Sequence, residues 1–190
     1  MKLPTIKKNY EKEFKNFVEY WSKLYYYNLS DKYDSRINNQ TFSEDDLYEL
    51  YFWKNGMKLS GPKLKSFNNK ILKKIKIINE YKLNEKFDTK EFFIEFKDVS
   101  FVWKIFLLHI IKPKKYPIYD QHIHRTYLYI NKLKWDNITA NIRDKDKSTF
   151  YLDKYMPFIA KQNRMKIKNI DEAMFTFGKF LNTENQYQIF

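Results

Sequence analysis

The run VSFVWKIFLLHIIKPKKYPIYDQHIHR, residues 99–125, decides how this chain is read. Its first half is apolar on nearly every face. Val99, Val102, Trp103, Ile105, Phe106, Leu107, Leu108, Ile110 and Ile111 leave only Ser100, Lys104 and His109 as polar interruptions. A helix that is hydrophobic all round belongs inside a core. Asp98 can cap its start, and Pro113 enforces its end because proline has no N–H to donate and clashes with the preceding turn. After the connection KPKKYPIY, the pattern predicts a helix from about Asp120 to Lys132, with Asp120 at its mouth and His122, His124 and Arg125 close behind. A carboxylate in that place caps the unpaired amides of the first turn, and the helix dipole favours its charged form.

Outward from this run, the periodicity stays helical. Tyr10, Phe14, Phe17, Val18, Trp21 and Leu24 recur every three or four residues and predict a first helix that frays through residues 25–40. TFSEDDLYELYFWKNG carries a cap at Ser43, acidic residues in the first turn and Gly56 as a stop. Leu64, Phe67, Ile71, Leu72, Ile75 and Ile78 form the apolar stripe of the clearest amphipathic segment. A short helix is expected around Thr89 to Phe96, another from Ser148 to Gln162 interrupted by Pro157, and a last one from Ile170 to Leu181. With three glycines, no hairpin dipeptide between alternating runs and no internal repeat, the fold class is all-α.

At 190 residues, 43% hydrophobic and 19% aromatic, the chain has the apolar surface for one compact helical unit and is not a disordered sequence. It has no cysteine, which excludes disulfides, zinc-thiolate sites and iron–sulfur clusters. The N-terminus MKLPTIKKNYEKEF lacks a signal-peptide core and no run approaches the length of a membrane span, so an intracellular, soluble protein is expected, with no membrane partner. The formal charge of +13 favours a polyanionic partner. A composition rich in Lys, Asn, Ile, Tyr and Phe is also what AT-rich coding produces, so charge by itself leaves a solvated basic surface as the alternative. The densest basic stretch is Lys63, Lys65, Lys70, Lys73, Lys74 and Lys76, with no acidic residue until Glu80.

The run 99–125 resembles the core of the helix-hairpin-helix DNA glycosylases, the endonuclease III and adenine glycosylase superfamily. There a glycine-rich turn and a buried helix lead into VDTHVxR or LDGNVxR, and PIYDQHIHR falls on that second motif. The resemblance places Asp120 on the family's catalytic aspartate and Arg125 on its downstream arginine, which bonds helix termini rather than DNA. Upstream, DLYELYFWKNGMKLSGPKLKSF is similar to the family's acidic helix and following turn, with Lys63 on the lysine of that turn. It implies a two-lobed helical fold, with residues 43–133 as the glycosylase-like lobe and 1–42 with 134–190 as the second. Tyr119, Tyr116, Trp103 and His122 would line a base pocket. Lys58, Lys63, Lys65, Lys70, Lys73, Lys74, Lys114 and Lys115 would hold phosphates of DNA, expected to be double-stranded and bound by a monomer in the cytoplasm or nucleoid.

Two departures shape the mechanism. DVSFVW has none of the hairpin glycines that let backbone amides approach a phosphate. Val102 stands where bifunctional members carry a nucleophilic lysine, which points to a monofunctional, water-using glycosylase; Lys104, two residues on, is the alternative amine, set against a lysine that merely extends its ammonium to solvent. Cleaving the bond from deoxyribose to base builds positive charge on the sugar, which an ionised carboxylate stabilises, and Asp120 is placed to supply it. No cofactor is needed. His122 and His124, two apart, point to different sides of a helix and cannot share a metal. The alternative function is a non-catalytic nucleic-acid-binding protein on the same scaffold, with Asp120 as a cap alone.

Overall fold

The computed structural model describes residues 10–139 and 141–183. It is all helical, with no strand among the described residues. In chain order the helices are α1 (Tyr10–Lys23), α2 (Ser30–Asp34), α3 (Glu44–Asn55), α4 (Gly61–Lys70), α5 (Ile75–Leu83), α6 (Thr89–Glu95), α7 (Phe101–Ile111), α8 (Gln121–Ile130), α9 (Asp144–Thr149), α10 (Met156–Ala160) and α11 (Ile167–Phe180). None is long and apolar enough to cross a membrane.

Several helix ends follow local chemistry. Ser43 Oγ accepts the Asp46 N–H at 3.1 Å and Asp46 Oδ2 accepts the Ser43 N–H at 2.9 Å, a reciprocal capping box that opens α3. Gly56 closes α3 at φ +79°, a left-handed conformation that costs a residue with a Cβ about 1 kcal/mol or more. Asp120 caps α8 from extended backbone, φ −146° and ψ 150°.

Several local features differ from the sequence reading. Ser30–Asp34 form a helix of their own, α2, where the pattern predicts a fraying end of α1. The expected single helix over 64–78 is broken at Ile71, φ −121°, with a short 3₁₀ turn over Leu72–Lys74 before α5 begins. Ile71 is fully buried, and the break re-aims the stripe so that both Phe67 and Ile78 are buried too. Helix α7 starts at Phe101 behind Ser100, not at Asp98. Pro157 does not interrupt its helix: α9 runs through a π-helical stretch, Phe150–Tyr155, into α10, and the Met156 N–H reaches back five residues to Tyr151 O. The widened turn lies just ahead of Pro157, which has no N–H of its own to place.

The chain divides into two compact units, one made of Tyr27–Pro113 and the other of the described residues up to Tyr26 and from Lys114 onward. These boundaries differ from 42/43 and 133/134. The reason is packing that local pattern does not encode. Helix α2 belongs with α3, through a Lys32–Glu49 ion pair and Tyr33 packed on Trp53 at 4.6 Å. Helix α8 belongs with α11, as described below. In the unit 27–113, Tyr51 is fully buried, its ring 5.1 Å from each of Phe67, Trp103 and Phe106, and α7 is buried from Ile105 to Ile111. In the other unit, α1 lays Phe17 and Trp21 on Phe177 of α11 at 5.2 and 4.9 Å, and Phe14 meets Phe158 of α10 at 5.2 Å.

Candidate active site

Asp120 is half-buried at the mouth of α8. Its Oδ1 accepts the His122 N–H at 2.9 Å and its carbonyl accepts the His124 N–H at 3.0 Å, so side chain and backbone together start the helix. The preceding loop is anchored from below. Asp171 on α11, only 6% exposed, accepts the Ile118 N–H at 3.0 Å on Oδ2 and the Tyr155 hydroxyl at 2.7 Å on Oδ1. Tyr151 donates to Pro117 O at 2.8 Å.

Helix α8 is locked to α11 at very close range. A Cβ added to Gly178 would stand 2.0 Å from His122 O, so only glycine permits this approach. Arg125 is buried and donates to Gly178 O at 3.1 Å and Ile138 O at 2.6 Å, and Thr126 Oγ1 donates to Met174 O at 2.6 Å. Arg125 Nη1 also lies 2.9 Å from His122 Nδ1. A guanidinium only donates, so Nδ1 accepts and neutral His122 carries its proton on Nε2.

The two histidines face different surroundings. His122 meets Phe175 edge-on at 5.3 Å. Burial draws it below its usual range, while the negative charge of Asp120 pulls the other way. His124 stacks on Phe150 at 3.6 Å with its Nδ1 3.3 Å from the Tyr119 hydroxyl, and burial, aided by the Arg125 charge, lowers it to about 4. Among the described residues, no group of three or more His, Cys, Asp or Glu is arranged to hold a metal ion.

This arrangement makes folding pH-dependent. An unfolded His124 takes up a proton near its ordinary value of 6.5, whereas the folded one resists it down to about 4. The unfolded chain therefore binds more protons in that window, and stability present above 6.5 is lost as pH falls toward 4. Denaturant melts should show a loss of about 3 kcal/mol at most from this group. His124→Phe should flatten the dependence between those limits.

Tyr116, Tyr119, Trp103 and Lys104 have partners of their own. Tyr116 and Tyr119 are 5% and 2% exposed, and Tyr119 meets His124 and Phe150 edge-on. Burial, with the charges of Asp120 and Asp144, raises the Tyr119 hydroxyl well above its usual range, so it stays protonated. Trp103 and Lys104 lie on α7, in the other unit. The Trp103 carbonyl accepts the Tyr51 hydroxyl at 3.0 Å, and Lys104 Nζ donates to Lys97 O at 3.3 Å, 5.7 Å from the Phe93 ring.

The lysines divide into two groups. Lys63 donates to Asn55 Oδ1 at 2.6 Å, Lys70 donates to Asp98 O at 2.8 Å, and Lys74 pairs with Glu95 at 2.8 Å over the Phe96 ring. The stretch that is unopposed in sequence is thus opposed at Lys74 by α6. Lys58, Lys65, Lys73, Lys114 and Lys115 are exposed.

Asp171, Tyr151, Tyr155 and Gly178 were not singled out by the sequence. Asp171 sits in NIDEAMF, where an acidic residue beside Glu172 reads as a solvated helix face. Only the apolar neighbours Ile170, Ala173 and Met174 signal that this turn faces inward.

The chain matches no family model, and neither the curated proteins nor the solved structures give a significant match.

Proposed function

We propose that this protein is a DNA base-excision glycosylase of the two-lobed helix-hairpin-helix type, hydrolysing the bond between deoxyribose and a modified or mismatched base. Asp120 is the catalytic carboxylate. As the base departs, its negative charge stabilises the oxocarbenium character of the sugar. The base leaves with the electron pair of the broken bond, water adds to the anomeric carbon, and the proton that water gives up ends on the departed base, with no covalent enzyme intermediate. The lysine alternative has little support, since Lys104 Nζ is engaged by the Lys97 carbonyl and lies over the Phe93 ring.

The observation that carries the reading is the anchoring around Asp120. A helix cap needs only its own side chain. Here a buried carboxylate and a buried tyrosine hold residues 117 and 118, and α11 grips α8 at Gly178, while the Asp120 side chain itself is only half-buried. Such rigidity around a single acidic group is what a reaction requiring fixed geometry uses. The second reading, a non-catalytic nucleic-acid-binding protein, is favoured by the burial of Tyr116 and Tyr119, which leaves those rings little face for an extruded base.

The test is incubation with duplexes carrying damaged or hypermodified bases, abasic sites being read by alkali cleavage with borohydride trapping in parallel. The proposal expects abasic sites without a trapped adduct. An adduct would restore an amine mechanism, and no abasic site from any duplex would remove the enzyme reading.

Phosphate binding makes a separate prediction. Lys65→Ala and Lys73→Ala should each lower the slope of log affinity against log salt by about 1, the loss of one neutralised phosphate. Lys74→Ala should instead act through stability, because its ammonium is already paired with Glu95. Titrations at several salt concentrations distinguish these outcomes, and weak binding independent of salt would point to a protein-interaction domain.

A further inference from the structure

We propose that Asp171 is a positioning residue for Asp120, a role that rests on the glycosylase reading above. A carboxylate taken out of water is stabilised only by hydrogen bonds to both oxygens, and Asp171, 6% exposed, has them: the Ile118 N–H on Oδ2 and the Tyr155 hydroxyl on Oδ1. The first of these is not demanded by helix formation. The unpaired amides of a helix start lie in its first turn, whereas Ile118 precedes the cap.

What this bond fixes is the approach to the cap. Pro117 O is held by Tyr151, Ile118 N by Asp171, and Tyr119 is packed at 2% exposure, so three consecutive residues before Asp120 are tied to α11 or to the π-helical stretch 150–155. Asp120 leaves this anchored run in an extended conformation, φ −146° and ψ 150°, that aims Oδ1 at the His122 N–H. Tyr151 and Tyr155 lie one turn apart on the same buried side, which lets one helix serve both anchors. The bond to Ile118 is of ordinary length, 3.0 Å, and takes its effect from the burial of Asp171, and a reacting carboxylate must be held to within about 0.5 Å. Asp171 thus acts through the backbone and touches no substrate.

The test compares amide hydrogen exchange in the full chain for wild type, Asp171→Ala and Tyr151→Phe. Asp171→Ala, which leaves the Ile118 N–H without an acceptor, should speed exchange about tenfold or more at both Ile118 and His122, with Thr126 in the body of α8 unchanged. Tyr151→Phe, which removes the other anchor, should move the same two amides in the same direction, and an unchanged His122 in that variant would overturn the coupling of loop to cap even if Asp171→Ala does not fold. Faster exchange at Ile118 alone, or at neither amide, would overturn the proposal, since Asp171 would then hold the loop without holding Asp120. In a base-release assay, Asp171→Ala should lower kcat about tenfold with KM unchanged. An inactive wild type would defeat the glycosylase reading and leave the exchange result to decide the mechanical coupling by itself.

Discussion

Gly178→Ala is expected to cost about 3–5 kcal/mol of stability, more than an added methyl at Gly56 or Gly61. The new Cβ would lie 2.0 Å from His122 O and 2.5 Å from His122 C, and both are backbone atoms that no rotamer change can move. Restoring ordinary contact requires α11 to retreat from α8 by about 1.4 Å. That shift stretches the bonds from Arg125 to Gly178 O and from Thr126 to Met174 O, leaving buried donors unpaired. In a chain of this size the melting temperature should fall by about 10 °C or more. Gly61→Ala is the control, since nothing lies within 4 Å of its added Cβ. A Gly178→Ala protein melting within a degree or two of wild type would mean that the two helices do not approach this closely.

The fold was legible in the sequence where local chemistry decides it. Ser43 as a cap, Gly56 as a stop, Pro113 just beyond α7 and Asp120 before α8 each act within a few residues, and the structure has each in that place. Legibility fails where distant packing decides. The break at Ile71 depends on what that side chain is buried against, and nothing in KSFNNKILKK forbids a continuous helix. The partner of Lys74 is Glu95, on a helix that the charge pattern of α4 and α5 says nothing about.

The site divides in the same way. Asp120 was found because a cap and a motif coincide within ten residues, whereas Asp171 meets Ile118 across 53 residues of chain and carries no local mark of burial. Gly178 lies inside the helix expected over 170–181 with no local mark of a close approach, yet its missing side chain is what lets α11 meet α8. The aromatics were ambiguous for a simple reason. With 16 tyrosines and 17 phenylalanines, composition cannot separate a pocket wall from a core, and Tyr116 and Tyr119 prove to be buried.

Asp120→Asn is expected to lower the rate of base release at least about a hundredfold, the scale set by removing one preorganised electrostatic group from a transition state. Asparagine is as good a cap as aspartate and keeps an acceptor for the His122 N–H, so stability should stay within about 0.5 kcal/mol. Affinity for the duplex should be unaffected or slightly higher, because the proposed phosphate contacts are assigned to lysines and the variant removes one negative charge. Asp120→Ala would remove cap and charge together and cost about 1 kcal/mol of stability besides. The asparagine variant is therefore the one that separates chemistry from capping.

The most direct measurement is single-turnover base release by wild type and Asp120→Asn on the same duplex, with binding and thermal melting recorded on the same preparations. The account predicts release by wild type, a loss of about a hundredfold or more in the variant, and matching melts and affinities. Equal rates in the two proteins would contradict it.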